Sequence, residues 1–183
     1  YLLNMKEKLL AQAKMIIYGL FPLKIANKVI EEGRYVHQVF GGFIIGKLLD
    51  SLIIGLICFV LLGFANMPYV LLVSVIVGVT NVIPFFGPFI GAIPSAFLIL
   101  LSDPMKCLYF LIFILLLQQF DGNILGPKIL GDSTGLSSFW VLFSILLFGG
   151  LMGFVGMIIA VPTFAVIYRL VTEFTTWKLG KKA

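Results

Sequence analysis

Charged residues are scarce in this sequence, and their scarcity argues against a water-soluble domain. Only 11% of the 183 residues are Asp, Glu, Lys or Arg, whereas soluble domains average about a quarter. Hydrophobic residues make up 61%, and the mean hydropathy is +1.13. Because an apolar run of about 20 residues is long enough to cross a bilayer, the composition predicts an integral membrane protein.

Cysteine and histidine are also rare, which leaves little material for a metal site. Cys58 and Cys107 are the only cysteines and both lie in apolar runs, at a spacing that matches no zinc pattern. The single histidine, His37, has no cluster of carboxylates or cysteines beside it in the sequence, so we expect an interfacial side chain. No nucleotide-binding motif is present. We therefore expect no metal, no cofactor and an energy source other than a nucleotide.

The net charge of +5 would suggest a nucleic-acid partner in a soluble protein. Here the basic residues instead gather on either side of the longest apolar runs. They are Lys6, Lys8, Lys14, Lys24, Lys28 and Arg34 before the runs, and Arg169, Lys178, Lys181 and Lys182 at their end. This positive-inside pattern is typical of membrane proteins. It predicts no nucleic acid, and it places both termini of this segment in the cytoplasm.

Residues 1–36 show an amphipathic pattern. Apolar residues recur at helical spacing among lysines and glutamates. Gly19 and Pro22 divide the region into two short helices, the second predicted to end at Glu32. We expect both to lie along the cytoplasmic interface, with a solvated linker helix as the alternative. The predicted domains are thus the amphipathic helices of 1–36 and a transmembrane domain at 37–183.

The first span is predicted from about residue 40 to residue 64 and contains two charges. Gly42, Gly46 and Asp50 recur every fourth residue, so they share one stripe of the helix. A carboxylate in a span needs a partner, and Lys47, three residues earlier, is the nearest candidate. We expect Asp50 to point into the bundle or a wet cavity. The alternative is an interfacial ion pair that snorkels out of the lipid.

Two apolar stretches of about 33 residues, 69–101 and 139–171, are too long for one upright crossing and short for two. Both are predicted to be hairpins of short helices. The second is interrupted between Gly149 and Gly153, and again at Pro162. Their matched lengths are compatible with an internal repeat but do not establish one.

The interruption of the first stretch is the most informative segment of the chain. Residues 81–94 carry three prolines and two glycines but no charge. Because proline lacks a backbone N–H, the carbonyls of Thr80, Pro84 and Ile90 lose their usual partners. Lipid offers no replacement, so protein or a water-filled cavity must cover such a segment, and discontinuous helices often form transporter sites. The candidate path residues here are Asn81, Pro84, Gly87, Pro88, Gly91 and Pro94.

A further span is predicted from residue 105 to about 125, and its last third is polar. The polar residues are Gln118, Gln119, Asp121 and Asn123. Spacings of three and four residues put them on two adjacent helix faces before Gly126 and Pro127 end the helix. We expect these side chains, with Asp50 and Pro127, to line the path. The alternative is a helix end that has already left the membrane at Gln118.

Residues 131–135, Gly-Asp-Ser-Thr-Gly, fit the G-x-S-x-G pattern of serine hydrolases. A nucleophile elbow also needs a preceding strand and a histidine base, whereas His37 lies in the distant amphipathic region. We therefore expect no enzyme, and an ordinary loop around Ser133.

Three motifs, in this order, resemble the autoinducer-2 exporter family of bacterial membrane transporters. They are Pro84-Phe-Phe-Gly-Pro-Phe-Ile-Gly-Ala-Ile-Pro94, Gln119-Phe-Asp-Gly-Asn-Ile-Leu-Gly-Pro-Lys-Ile-Leu-Gly131 and Gly153-Phe-Val-Gly-Met-Ile-Ile-Ala-Val-Pro162. The resemblance extends to the chain end and implies the C-terminal part of a longer transporter. It places Asp121 where the family more often has glutamate, Asp50 on a family aspartate, and Pro127 and Pro162 on family prolines. It also implies the bacterial inner membrane, a homo-oligomer, and a proton, sodium ion or small solute as partner.

These features predict an all-α polytopic transmembrane helical bundle with broken or re-entrant helices and an N-terminal amphipathic helical region. The predicted function is secondary transport across the lipid bilayer, as an exporter of a small solute such as an autoinducer-2-like signal, coupled to a proton or sodium gradient. Carbonyls freed by Pro84 and Pro88 would coordinate the ion or solute, while Asp121 changes protonation between access states. A passive oligomeric channel and a membrane scaffold are the alternatives.

Overall fold

The structure is a computed structural model that describes residues 6–130 and 135–180. All regular elements in these two segments are helical. They are α1 (Lys6–Leu20), α2 (Leu23–Phe64), α3 (Val70–Thr80), α4 (Gly87–Ser102), α5 (Pro104–Phe120), a π-helix (Asp121–Leu125), α6 (Gly126–Leu130) and α7 (Ser138–Gly180). The predicted all-α fold is confirmed.

The described helices have the lengths and surfaces of a membrane bundle. Three apolar segments are long enough to cross a membrane, namely Leu23–Phe64, Pro104–Ile129 and Ser138–Thr176, and α3 and α4 are shorter apolar helices. Their outer faces expose large apolar side chains such as Leu71, Leu101 and Leu151. Such continuous apolar surface is unfavourable in water and favourable against lipid. The chain is a multi-pass membrane protein.

The chain divides into two compact units, Tyr1–Val39 and Phe40–Ala183, and the boundary falls inside α2. In the first unit, α1 ends at Leu20, where Pro22 cannot continue an α-helix. The Tyr18 hydroxyl donates to Asn27 Oδ1 at 2.9 Å across this turn. The predicted division between Gly19 and Pro22 is thus confirmed.

The predicted second short helix is not a separate element. It was expected to end at Glu32, but α2 continues from Leu23 to Phe64 without a break. No proline lies between Leu23 and Phe40, and an isolated glycine such as Gly33 costs a helix only about 1 kcal/mol. Nothing local therefore stops the helix.

In the second unit, α3 and α4 pack as the predicted hairpin. At a rise of 1.5 Å per residue, α3 is about 16 Å long and α4 about 24 Å, both shorter than the roughly 30 Å hydrocarbon core. Of the three prolines, only Pro84 lies in the turn. Pro88 occupies the first turn of α4, where its missing N–H needs no partner, and α4 runs on through the exposed Pro94.

The expectation that two carbonyls in this turn lack a hydrogen-bond partner is wrong. Thr80 O accepts a hydrogen bond from Ile83 N at 3.0 Å, and Pro84 O accepts one from Phe86 N at 2.8 Å. The second bond spans only two residues, with Phe85 between them at φ 64°, which is the pattern of a γ-turn. The turn therefore gives each carbonyl one local partner, and its second lone pair leaves ion binding by these carbonyls a prediction.

Helix α7 is the second predicted hairpin, and Gly153 is its turn. Gly153 has φ 62° and ψ −141° and divides α7 into two helical arms, a conformation that glycine adopts far more readily than other residues. The arms pack together, with the Trp140 ring stacked on Phe164 at a centroid distance of 5.3 Å. The predicted second break at Pro162 is wrong, because the helix continues through this buried proline.

Helix α5 does not end where Gly126 and Pro127 were expected to stop it. The chain widens into the π-helix, in which the N–H of Gly126 bonds to Asp121 O five residues back. It then continues as α6 to Leu130. Pro127 lies in the first turn of α6, where proline is tolerated. The π-turn therefore replaces the predicted helix end, and such turns are frequent at functional sites.

Candidate functional site

Four polar side chains from separate parts of the second unit meet in what we call the buried charge cluster. They are Lys47 and Asp50 on α2, Asn81 at the end of α3, and Asp121 at the start of the π-helix. Lys47 Nζ lies 2.5 Å from Asp50 Oδ2. The Asn81 amide Nδ2 donates to Asp50 Oδ2 at 3.2 Å and to Asp121 Oδ2 at 3.3 Å. One amide therefore connects two carboxylates from different helices.

All four residues of the buried charge cluster are removed from the surface. Their exposed fractions are 8% for Lys47, 0% for Asp50, 1% for Asn81 and 7% for Asp121. The prediction that Lys47 pairs with Asp50, and that Asp50 points into the bundle, is confirmed. An ion pair that snorkels out of the lipid would expose its charged ends, so that alternative is wrong.

Close contact between α2 and α3 brings Asp50 to Asn81. Gly55 on α2 and Gly78 on α3 face each other so closely that a Cβ placed on Gly78 would lie 3.0 Å from the Gly55 Cα. Small residues allow such backbone approach between membrane helices. Asn81 is the C-cap of α3, so its side chain stands at the point where the hairpin turns.

Three buried atoms at this site have no hydrogen-bond partner among the described residues. They are Oδ1 of Asp50, Oδ1 of Asp121 and Nε2 of Gln118. Buried polar atoms are nearly always bonded, and leaving one unsatisfied costs roughly 1–3 kcal/mol. The site thus retains two acceptors and one donor that a bound ion or solute could satisfy.

A cavity of about 600 Å³ opens beside the buried charge cluster. This volume lies within the roughly 300–1,000 Å³ range of small-molecule sites. Its polar lining comes from Lys47, Gln118, Gln119 and Asp121. The remaining lining is Phe43, Pro84, Phe85, Pro88, Phe89, Ala92, Ile114, Leu115, Gly122, Gly126, Pro127, Leu136, Val141 and Val161. Asp121 and Lys47 belong to both the cavity wall and the cluster, whereas Asp50 and Asn81 lie behind that wall.

The predicted path residues fall into four groups, of which Gly87 and Gly91 form the last. Six of them line the cavity, namely Pro84, Pro88, Gln118, Gln119, Asp121 and Pro127. Asp50 and Asn81 join the buried charge cluster. Pro94 and Asn123 are exposed and do not line the cavity, and the Asn123 amide donates to Gln119 Oε1 at 3.0 Å. The functional role of each residue stays a prediction.

Gly87 and Gly91 have a packing role in this geometry. A Cβ on Gly87 would collide with the carbonyl oxygen of Thr80, and one on Gly91 with the Thr80 hydroxyl oxygen. Neither glycine lines the cavity. The two glycines allow the start of α4 to approach the end of α3, and they thereby hold Asn81 in place.

The alternative of a wet helix end at residue 118 fits only part of the polar face. Gln119 and Asn123 are exposed, as that interpretation requires. Asp121 is buried, and Gln118 is half-buried with its Nε2 atom fully covered. The inner half of this face therefore belongs to the protein interior.

Sequence reasoning missed part of the site. Lys47 was recognised as a partner of Asp50 but not as a cavity residue, although its position three residues before Asp50 already places both on one helix side. Nothing in the local sequence marks Leu136, Val141 and Val161 as cavity residues, because they are apolar residues in an apolar part of the chain.

Two further candidates were considered in the sequence, the G-x-S-x-G segment and a metal site. Ser133 and the rest of residues 131–134 lie outside the described residues. Within residues 6–130 and 135–180, no group of three His, Cys, Asp or Glu side chains could hold a metal ion.

Comparison with known proteins supports a transport family. The model of the AI-2E family transporter matches residues 1–176. YrrI of Bacillus subtilis, named "Putative transport protein YrrI", is 40% identical over 141 residues, covering 77% of this chain and 40% of that protein. The "AI-2 transport protein TqsA" of Escherichia coli K12 is 31% identical over 134 residues, covering 73% of this chain and 39% of that protein.

A third relative gives the same picture. "Putative transport protein YueF" of Bacillus subtilis is 35% identical over 148 residues, or 81% of this chain and 40% of that protein. The chain thus spans about two fifths of the length of these curated relatives. No solved structure matches it. Since the family model covers nearly every residue, this chain belongs to the AI-2E family of transporters.

Proposed function

We propose that this chain forms the binding region of a secondary transporter that exports a small polar solute in exchange for a proton or a sodium ion. One observation carries the proposal: Asp121 Oδ1 and Gln118 Nε2 are buried, have no hydrogen-bond partner in the part of the chain that the structure describes, and belong to residues that line a cavity of about 600 Å³. A hydroxyl group can accept from the amide and donate to the carboxylate at once. A hydroxylated solute that reaches both atoms from the cavity would satisfy them.

The charges of the site support coupling to one cation. Lys47 contributes one positive charge, and the ionised forms of Asp50 and Asp121 contribute two negative charges. A buried uncompensated charge is costly, and such groups bind a counter-ion or a proton instead. One proton or one sodium ion would make the buried charge cluster neutral. Asp121, which lines the cavity, is the group that would receive it.

The hairpin of α3 and α4 supplies the discontinuous element that such a mechanism needs. Both helices are shorter than a bilayer core, and Pro84 and Phe85 of the turn at 81–86 line the same cavity as residues of α5 and α7. Irregular backbone at membrane depth is stable only where protein or a wet cavity covers it. Small movements of this hairpin would change the position of Asn81 and thereby the access to Asp121.

The proposal extends to location and assembly. The lysines before α2 support a cytoplasmic position for both termini of this segment in the bacterial inner membrane. The relative TqsA is named an AI-2 transport protein, which supports a signal-like solute for this chain. Gly41 and Gly42 have open space around them and could form a contact in a homo-oligomer.

A flux assay tests the proposed function. The intact protein is reconstituted into proteoliposomes, and a panel of small hydroxylated solutes is supplied under an imposed sodium or proton gradient. Accumulation against the solute gradient is expected with one of the two ions. Flux that only equilibrates the solute would instead support the passive channel, and absence of any flux would support the scaffold.

Labelling tests whether the hairpin turn faces a wet cavity. Phe85 lines the cavity, whereas Phe97 is exposed on α4 outside it. With the two native cysteines replaced by serine, a Phe85→Cys variant is expected to react with a water-soluble thiol reagent. A Phe97→Cys variant, which would face lipid, is the matched control and should stay unlabelled. Equal protection of both would contradict a water-filled path.

A further inference from the structure

We propose that Lys47 is a tethered internal cation that moves between Asp50 and Asp121, and that Asp50 is the positioning residue that holds Lys47 away from the ion site. The inference rests on the proposed function, since it assigns the competitor of the transported ion. It gives Asp50 a role different from that of Asp121, although both carboxylates bond to the same amide.

The two carboxylates are close enough for one lysine to serve either. Because a single nitrogen, Asn81 Nδ2, bonds to Oδ2 of Asp50 at 3.2 Å and to Oδ2 of Asp121 at 3.3 Å, the two oxygens are separated by no more than these bonds laid end to end. A lysine ammonium sits on a flexible stem of four carbons. Rotations within that stem can move it over such a distance.

Lys47 has unused capacity for a second partner. An ammonium group carries three donors, and the described structure shows one bond, from Nζ to Asp50 Oδ2. Lys47 also lines the cavity, as Asp121 does, whereas Asp50 does not. The ammonium thus lies at the boundary between the hidden carboxylate and the one that faces the cavity.

Few other charges compete at this position. The groups that face Asp121 are Lys47 and Asp50 from α2, the neutral amide of Asn81 from α3, and Gln118 on its own helix. The cavity lining from α4 and α7 is Pro88, Phe89, Ala92, Val141 and Val161, none of which titrates. Lys47 is therefore the one basic residue among the described residues of the cavity lining and the buried charge cluster.

This arrangement predicts two exclusive states. With Lys47 on Asp50, Asp121 is open to an external proton or sodium ion. With Lys47 on Asp121, that site is filled from within and the external cation is excluded. Asp50 favours the first state by holding the ammonium, so removal of its charge should transfer Lys47 to Asp121.

Charge-removal variants of the intact protein test this exchange. Asp50→Asn is expected to fold with an unchanged melting temperature, because Lys47 finds a new partner in Asp121. Its half-saturating sodium or proton concentration for flux should rise by about tenfold or more, within the usual range of coupling between sites. The double variant Lys47→Met/Asp50→Asn lacks the competitor and should bind the ion at least as tightly as the wild type.

Two variants serve as matched controls. Asp103→Asn keeps a good N-cap for α5, and Lys106→Met removes an ammonium that bonds to the Asn66 carbonyl on the exposed side. Both should leave the half-saturating concentration unchanged. They show that loss of one aspartate or one lysine does not by itself alter ion affinity.

The outcomes separate the inference from the proposed function. Wild-type protein without ion-dependent flux contradicts the proposed function itself. If flux of the wild type depends on the ion, an Asp50→Asn variant with the wild-type half-saturating concentration overturns the inference. So does an Asp50→Asn variant whose melting temperature falls, if the double variant restores both the melting temperature and the flux. The latter result would make Lys47 a structural partner only. An inactive double variant would also overturn it, because Asp121, the proposed ion site, is intact there.

Discussion

The carboxylates of Asp50 and Asp121, which belong to different helices, accept hydrogen bonds from the same nitrogen of Asn81. Two carboxylates that share one donor cannot change charge independently, because each alters the field at the other across a few ångströms. The relationship makes the end of α3 the mechanical link between α2 and the π-helix. The predictions below follow from this link and from the glycines that shape it.

Asp121→Asn removes the only cavity-lining carboxylate among the described residues. The side chain keeps its size but can no longer take up and release a proton, so the dependence of transport on pH should be lost. Proteoliposome flux at a series of pH values measures this. Asp103→Asn is the matched control, and a variant at residue 121 with the wild-type pH profile would contradict the assignment.

Asn81→Ala leaves both buried carboxylates without their shared donor. Unsatisfied buried acceptors cost roughly 1–3 kcal/mol, so the free energy of unfolding should fall by about that amount. Coupled flux should fall with it. Denaturant unfolding in detergent measures the loss, and Asn27→Ala, which removes one exposed hydrogen bond with Tyr18, should cost clearly less. Equal losses in the two variants would argue against a special position for Asn81.

Gly87→Ala tests the close approach of α4 to the end of α3. The added Cβ would collide with the Thr80 backbone carbonyl, and overpacking of this kind typically costs about 1–3 kcal/mol. The hairpin should open slightly, which lowers both stability and flux. Gly33→Ala has open space around it in α2 and should be neutral or stabilising by up to about 1 kcal/mol. A stable, fully active Gly87→Ala protein would show that the hairpin tolerates a wider contact.

Gly153→Ala tests the turn of the α7 hairpin. Space around Gly153 is open, but its φ of 62° and ψ of −141° disfavour any side chain. We expect a loss of roughly 1–3 kcal/mol from backbone strain alone. Thermal unfolding compared with Gly150→Ala, an open site within the first arm, measures the difference. Similar melting temperatures would mean that the arms can be joined by another backbone conformation.

Much of the fold could be predicted because its signals are local. Apolar runs indicated spans, and the interruptions at Pro84 and Gly153 indicated hairpins, both of which the structure contains. The predictions that failed also came from local signals. Pro127 and Pro162 were expected to interrupt helices, but a π-turn accommodates the first and the second arm of α7 continues through the other. Proline predicts a missing hydrogen bond more reliably than it predicts a helix end.

The sequence by itself determined that this is an all-α membrane protein, since hydropathy and the placement of charge depend only on which residues follow one another. It also indicated the pair of Lys47 and Asp50, because three residues is a fixed distance on a helix. Only the tertiary structure decided that this pair meets Asn81 and Asp121. That contact requires Gly55 against Gly78 and Gly87 against Thr80, and packing between distant helices leaves no periodic trace in the chain.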